Sequence, residues 1–387
     1  MALISTTSFG ELDEVEIQRY LKRVNKPAVK SIKSPDGDII DCVDMYKQPA
    51  FDHPLMKNHT IRSDPTFLSK NRSMNTDGKL QPLTQLWHRN GKCPENTVPI
   101  RRTTREDLLR WGSIKTYGKK DPSYGIYNRR NRLNNGPFAH EYAVIQSKNV
   151  GKYVGADANM NLWKPHVAHA EEFSLAQMWL VANGQSPTDM NTIEVGWQAY
   201  PRLYGDDNPR LFIFWTSKSY QNGCYNLQCE GFVQKSGITL VGAALEQVST
   251  YNVQMAYLFV TVRKEPFFGD WWLIINGVSV GYWPRSLFTS MQDHADRVDF
   301  GGEIVNAKSG EQHTETTMGS GHFAAGGFGQ ACSMDQINVY NEQGQKVMPH
   351  ITDVRMTNAL CYDLFLGTNN LGPYIYFGGP GRNPTCP

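Results

Sequence analysis

Two short stretches place a glutamate where little else is charged. The first is Asn191-Thr192-Ile193-Glu194-Val195-Gly196-Trp197-Gln198; the second, 109 residues on, is Phe300-Gly301-Gly302-Glu303-Ile304-Val305. β-Branched and aromatic residues in alternation predict strands. Side chains alternate between the faces of a strand, so Ile193, Val195 and Trp197 make an apolar face that wants a core. Glu194, Gly196 and Gln198 share the other face, where the glycine leaves open space. Two such glutamates facing one cleft make an acid–base pair. The plain alternative is that each faces solvent or pairs with a Lys or Arg.

Peptide hydrolysis by carboxylates needs a base to activate water and an acid to protonate the leaving nitrogen. Two carboxyls close together resist double ionisation, so the pair is expected to hold one proton in acid and to lose activity toward neutral pH. Nothing in the residues says which is acid and which base. Gln198 is a candidate supporting residue, as oxyanion donor or as an ordinary polar strand residue. Paired glutamates in a β-sandwich also serve glycoside hydrolysis. A non-catalytic cell-wall or carbohydrate-binding module, with both glutamates structural, is a further alternative. Other chemistries are thinner. His140-Glu141 lacks the second His of HExxH, and Gly319-Ser320-Gly321 follows no clear strand. Asp293, His294 and Asp296 read as a solvated loop, and Gly326-Gly327-Phe328-Gly329 lacks a phosphate-loop Lys. No metal and no cofactor is expected.

These residues need a scaffold, and 387 residues exceed one ordinary domain. The chain is 40% hydrophobic and 20% charged, a globular composition, and no apolar run is long enough for a membrane span. A net charge of +2 gives no argument for nucleic acid. The cysteines fall in local groups: Cys42 with Cys93, Cys224 with Cys229, and Cys361 with Cys386, leaving Cys332 as a buried free thiol. Such grouping suggests disulfides and an oxidising compartment. Asn58 and Asn71 head N-glycosylation sequons. The opening residues lack a charged n-region and a long apolar core. The expectation is a secreted protein whose signal peptide is missing from this version.

Residues 12–24 predict an amphipathic helix ended by Pro27, with Ile17, Tyr20, Leu21 and Val24 at helical spacing. A turn at Pro35-Asp36-Gly37 and a strand over 39–43 follow. Residues 10–100 thus read as a small α+β domain. Residues 101–137 read as a basic, turn-rich linker, with ten Lys or Arg against three acids through residue 132. It is either a solvated surface segment or a weak nucleic-acid arm, or an exposed processing site. From 138 to 387 the texture is β, with strands expected over 142–146, 173–181, 193–200, 210–216, 237–240, 251–263, 271–275, 278–282, 297–305, 331–340 and 374–377. Asn276-Gly277 is a type I′ hairpin signal. Many short strands with tight turns predict a mainly β protein, an antiparallel β-sandwich preceded by the small α+β domain.

The chain resembles the neprosin family of plant glutamic peptidases over nearly its whole length. The resemblance to the activation peptide lies in Lys26-Pro27-Ala28-Val29-Lys30-Ser31-Ile32, Asp36-Gly37-Asp38-Ile39-Ile40-Asp41-Cys42-Val43 and Gln48-Pro49-Ala50-Phe51-Asp52-His53-Pro54. For the catalytic domain it lies in His140-Glu141-Tyr142-Ala143, Ile193-Glu194-Val195-Gly196-Trp197-Gln198, Pro201-Arg202-Leu203-Tyr204-Gly205-Asp206, Gly301-Gly302-Glu303-Ile304 and Met318-Gly319-Ser320-Gly321-His322-Phe323. The resemblance implies a secreted zymogen and a β-sandwich peptidase that cleaves after proline in acid, with Glu194 and Glu303 as the catalytic pair. It implies proline-containing peptide or protein substrates, and the chain's own pro-domain as inhibitor. Cys332 and the missing signal depart from the family pattern.

Overall fold

The computed structural model describes residues 13–71, 83–120, 139–184, 186, 188–307 and 312–387. Helix α1 (Glu14–Val24) starts where Asp13 accepts the Val15 N–H, with acids in its first turn and Lys22 and Arg23 in its last, as the helix dipole favours. Strands β1 (Ala28–Lys33), β2 (Ile39–Asp44) and β3 (Thr97–Arg101) form a three-stranded antiparallel sheet. Helix α2 (Thr66–Asn71) lies between β2 and β3 in sequence. Helix α3 (Arg105–Trp111) opens on a Thr104–Asp107 capping box and closes on Gly112 in the left-handed region.

The regular structure of the rest is mainly strand, joined by loops: β4 (Ala139–Tyr153), β5 (Gly155–Asn161), β6 (Ser174–Ala182), β7 (Asn191–Ala199), β8 (Arg210–Ser217), β9 (Asn222–Tyr225), β10 (Val233–Gln234), β11 (Tyr257–Lys264), β12 (Trp271–Ile275), β13 (Val278–Trp283), β14 (Ala295–Asn306), β15 (Cys332–Tyr340), β16 (Lys346–Val347), β17 (Asp353–Met356), β18 (Asp363–Asn369) and β19 (Gly372–Gly378). A short helix, α4 (Pro201–Tyr204), follows β7. A seven-stranded antiparallel sheet runs β17-β4-β14-β6-β7-β8-β9. A nine-stranded sheet runs β10-β13-β12-β11-β5-β15-β19-β18, with β16 on β15. Asn276 and Gly277 both take positive φ in the β12–β13 hairpin, as their sequence predicts.

The main core lies between these sheets. Ile193, Val195 and Trp197 from β7, with Ala176, Met178 and Leu180 from β6, join one buried cluster with Ala158, Met160, Leu258 and Val260 of the other sheet. The Trp197 indole donates to the Asn161 carbonyl at 2.9 Å, tying β7 to β5. Burying each large apolar side chain contributes roughly 1.5–3 kcal/mol before entropy is charged against it. The outer face of the seven-stranded sheet is covered too. Ile17, Leu108, Trp111 and Tyr117 from the N-terminal part pack with Tyr200, Phe212, Phe214 and Tyr225. Both faces of β7 are therefore buried along its whole length.

The three disulfides are Cys42–Cys93, Cys224–Cys229 and Cys361–Cys386, and Cys332 is a buried free thiol, as the cysteine grouping suggests. Asn58 is exposed in a turn; the side chain of Asn71 lies outside the described residues. Some expectations fail for physical reasons. Residues 237–240 form no strand, because the Gln85 side chain takes the place of a ladder, accepting the Leu240 N–H and donating to its carbonyl. Residues 251–256 stay outside β11, held in a turn by Thr250 and Gln254. The basic stretch after Ile100 is not a uniform linker. Through Lys120 it is folded, with β3 ending at Arg101 and α3 capped at both ends. The remaining linker residues lie outside the described residues.

Gly196 is required by the close approach of β6 to β7. A Cβ there would stand 1.9 Å from the Ala176 carbonyl oxygen and 2.7 Å from the Gln177 Cα. Gly196→Ala should destabilise the fold by about 3 kcal/mol or more, read as a lower denaturant midpoint.

Candidate active site

The register of the seven-stranded sheet lays out the covered face in rows. One row holds Asp299, Trp179, Glu194 and Phe214 on β14, β6, β7 and β8. The next holds Gly301, Gln177, Gly196 and Phe212. The third holds Glu303, Leu175, Gln198 and Arg210. The two glutamates predicted from sequence thus share one face, on strands separated by β6 and in different rows. Gln177 stands at the centre, with a glycine on each side. A Cβ at Gly301, as at Gly196, would collide with the backbone of the next strand, here Ala143 at 2.2 Å. The glycines that looked like open space from sequence are demanded by strand approach, and the floor they leave around Gln177 is the result.

Glu194 is fully buried. The Thr192 hydroxyl donates to its Oε1 at 3.1 Å, and the Lys120 ammonium lies 2.5 Å from its Oε2. Burial pushes the Glu194 carboxyl above the ordinary carboxylate range, against the pull of Lys120. Lys120 comes from the N-terminal part, beyond α3. Its ammonium sits over the Phe214 ring at 4.5 Å and the Tyr225 ring at 5.6 Å, an arrangement that favours a cation. Burial opposes the charge, but Glu194 and then Glu303 carry the Lys120 pKa above its ordinary value.

Glu303 is buried beside different partners. His140 Nδ1 lies 2.5 Å from its Oε1, and the Gln177 amide donates to its Oε2 at 3.3 Å. The Tyr142 hydroxyl meets the same carboxylate. Burial again opposes ionisation, but His140, Lys120 and Tyr142 together hold Glu303 below its ordinary pKa. The expectation of two carboxyls sharing one proton is not what the closed chain contains, since each has its own polar partners. One site is tilted toward the proton-bearing form and the other toward the ionised form.

Gln198 faces the Tyr225 hydroxyl, and its amide has no other partner among the described residues. The Gln177 carbonyl oxygen also lacks one. Buried unpaired amides are costly, so their presence in a covered cleft suits polar groups waiting for a ligand. Tyr142, Val144, Gln146, Trp179, Asp299 and Arg355 line a small pocket on the same face. The other sequence candidates go elsewhere. Glu141 pairs with His313 at 2.9 Å, on the opposite side from His140. Asp293 pairs with Arg285, and Asp296 accepts from Asn183. His313 lies near Cys361 and Cys386, whose sulfurs are bonded to each other. Sequence reading missed Lys120, His140 and Gln177. His140 had a faint signal, as it falls two residues before Tyr142 on one strand. Lys120 had none, being one base in a basic run.

A two-sheet antiparallel β-protein, with paired buried glutamates under a folded N-terminal segment, is the class these features define. The chain belongs to the neprosin family: the Neprosin model matches residues 170–380, and the Neprosin activation peptide model matches residues 31–146. It therefore carries both parts of a peptidase precursor. Among solved structures, it is similar to a Scytalido-glutamic peptidase bound to a peptide-based transition-state analogue, at 10% identity over 63% of this chain and 99% of that one, with a TM-score of 0.30. It is also similar to SCP-B of the Eqolisin family in complex with the tripeptide Ala-Ile-His, at 10% identity over 62% and 97%, with a TM-score of 0.29. Likeness at this level carries no inference about activity.

Replacing Gln177 by Leu removes a donor from the Glu303 carboxylate. A hydrogen bond to the carboxylate favours its ionised form, so without it the Glu303 carboxyl should titrate at a higher pH by carbon NMR. An unchanged titration would remove Gln177 from the site.

Proposed function

We propose that this chain is a secreted glutamic endopeptidase made as a zymogen, cleaving peptides after proline in acid, with Glu303 as base and Glu194 as acid. The observation that carries the reading is that two buried carboxyls, Glu194 and Glu303, share one covered face of the sheet, with Lys120 of the N-terminal part set against one of them. When Lys120 withdraws, Glu194 loses the charge that lowers its pKa, while burial and Glu303 still raise it. It then carries the proton. Glu303 keeps His140, Tyr142 and Gln177, and stays ionised.

In the reaction a water seats beside the Glu303 carboxylate once the segment has left. Glu303 accepts its proton as the water oxygen bonds to the scissile carbonyl carbon. The Gln198 amide donates to the oxyanion that forms. Glu194 gives its proton to the leaving nitrogen, the C–N bond breaks, and exchange with solvent restores the starting protonation of both carboxyls. Disulfides suit the secreted reading, and N-glycans at Asn58 and Asn71 would accompany it.

The activation segment is the inhibitor in this account. Lys120 occupies the cleft, and Ile17, Leu108, Trp111 and Tyr117 seal it. As pH falls through the raised pKa of Glu194, the carboxylate is protonated and its ion pair with Lys120 is lost. Against the opened state, where Lys120 no longer lowers the Glu194 pKa, the ion pair's contribution is present above this pH and absent below it.

Hydrolysis of a proline-containing peptide by the acid-treated protein, analysed by mass, is the test. Glu194→Gln and Glu303→Gln should each cost about 10³-fold or more in kcat, as loss of a general acid or base does, with the fold retained by circular dichroism. Cleavage by either variant at wild-type rate would end this assignment. The pH profile of kcat/KM should be a bell with its acid limb below 4.5, set by Glu303, and its basic limb above 4.5, set by Glu194. A profile flat from pH 3 to pH 8 would contradict it.

A further inference from the structure

We propose that Arg210 anchors a substrate carboxylate in the processed enzyme, at a subsite that the activation segment fills with Asp36 and Asp38 in the precursor. The proposal rests on the zymogen reading above. Arg210 is fully buried at the start of β8. It lies in the same row of the covered face as Gln198 and Glu303. Three carboxylates surround it. Nη1 donates to Asp38 at 2.5 Å and to the Gly242 carbonyl at 3.0 Å. Nη2 donates to Asp36 at 3.2 Å and to Asp206 at 2.5 Å. The Tyr204 ring lies 4.8 Å beneath the guanidinium.

Two of those carboxylates leave with the activation segment. Asp36 and Asp38 flank Gly37, whose φ of +96° is that of a tight turn, and both fall within the activation-peptide match. Asp206, Gly242 and Tyr204 belong to the part that remains. Removal therefore frees one donor position on each of the two terminal nitrogens, and a guanidinium can present both of these nitrogens to one carboxylate. Asp206 and Gly242 still hold the guanidinium in place, so the fork is preorganised. Arg101, which in the precursor competes for Asp38 at 2.7 Å, leaves as well.

The sheet sets the distance to the chemistry. Arg210 is three strands from Glu303 along its row, about 14 Å at ~4.8 Å per strand. An extended peptide spans that in about four residues. The occupant is thus an acidic side chain some four positions from the cleaved bond, or the terminal carboxylate of a short peptide reaching the same spot.

The test uses the acid-processed enzyme and proline-containing peptides at pH 5, where a glutamate side chain is mostly ionised. A single Glu is moved through each position from two to six residues on either side of the proline, with Gln at the same position as its partner. Short peptides ending in a free carboxylate or an amide form the second arm. One position about four residues out should favour Glu over Gln by about tenfold in kcat/KM, as a charge-assisted hydrogen bond allows. If only the free-carboxylate arm discriminates, the occupant is a chain terminus. In Arg210→Gln the Glu-to-Gln ratio should fall to about one, and this ratio does not depend on how much protein folds. Arg210→Lys should keep part of it. A wild-type enzyme that cleaves these peptides with no acidic preference at any position overturns the proposal but leaves the peptidase reading intact. Failure to cleave any of them would sink the peptidase reading first.

Discussion

The contact between the Lys120 ammonium and the Glu194 carboxylate is the one on which the rest of the structure turns. A carboxylate with no exposed surface is unfavourable by several kcal/mol unless a charge or donors meet it. Lys120 meets it, and the rings of Phe214 and Tyr225 give the ammonium a face to lie on. The pair holds only while α3 and the residues after it keep Lys120 in place. Capping of α3 by Thr104 and Asp107, the Arg101–Asp107 ion pair and the seating of Trp111 all serve that placement. The segment that covers Glu194 thus also supplies the cation that opposes its protonation. In the proposed mechanism a fall in pH removes the carboxylate's charge and weakens the block together.

The second constraint is the spacing of three strands. β6 lies between the two strands that bear the glutamates, and glycine at 196 and 301 lets the backbones approach as they do. Larger residues would force the strands apart and fill the floor around Gln177. The site is therefore built on the rigid middle of a sheet, where loops would place the same groups less accurately. His140 and Tyr142 reach Glu303 from β4, on the far side of β14, so four adjacent strands carry the groups of the candidate site.

Much of this was legible before the fold. Glu194 and Glu303 stand out because each is a lone charge in an apolar, glycine-containing strand. The Asn276-Gly277 turn and the cysteine groups follow from local chemistry alone. What was not legible depends on register. Nothing local to Lys120 distinguishes it from the other bases of its run, and nothing local to Gln177 says that it falls between two glycines on neighbouring strands. Residues 237–240 looked like a strand because side-chain capture of a backbone by a distant Gln85 has no local signature. β5 was missed because Gly155-Ala156-Asp157-Ala158-Asn159-Met160-Asn161 has small and polar residues where propensity asks for branched ones, and tertiary pairing overrides it.

The most direct measurement is the pH dependence of processing in the Lys120→Met precursor beside the wild type, followed by gel and by N-terminal sequencing. Methionine fills the same space without the charge. If the Lys120–Glu194 pair is the lock, the wild type should stay intact near neutral pH and process on acidification. The variant should process faster and begin at a higher pH. Identical profiles for the two proteins would contradict the lock and leave the covering helices as the only barrier.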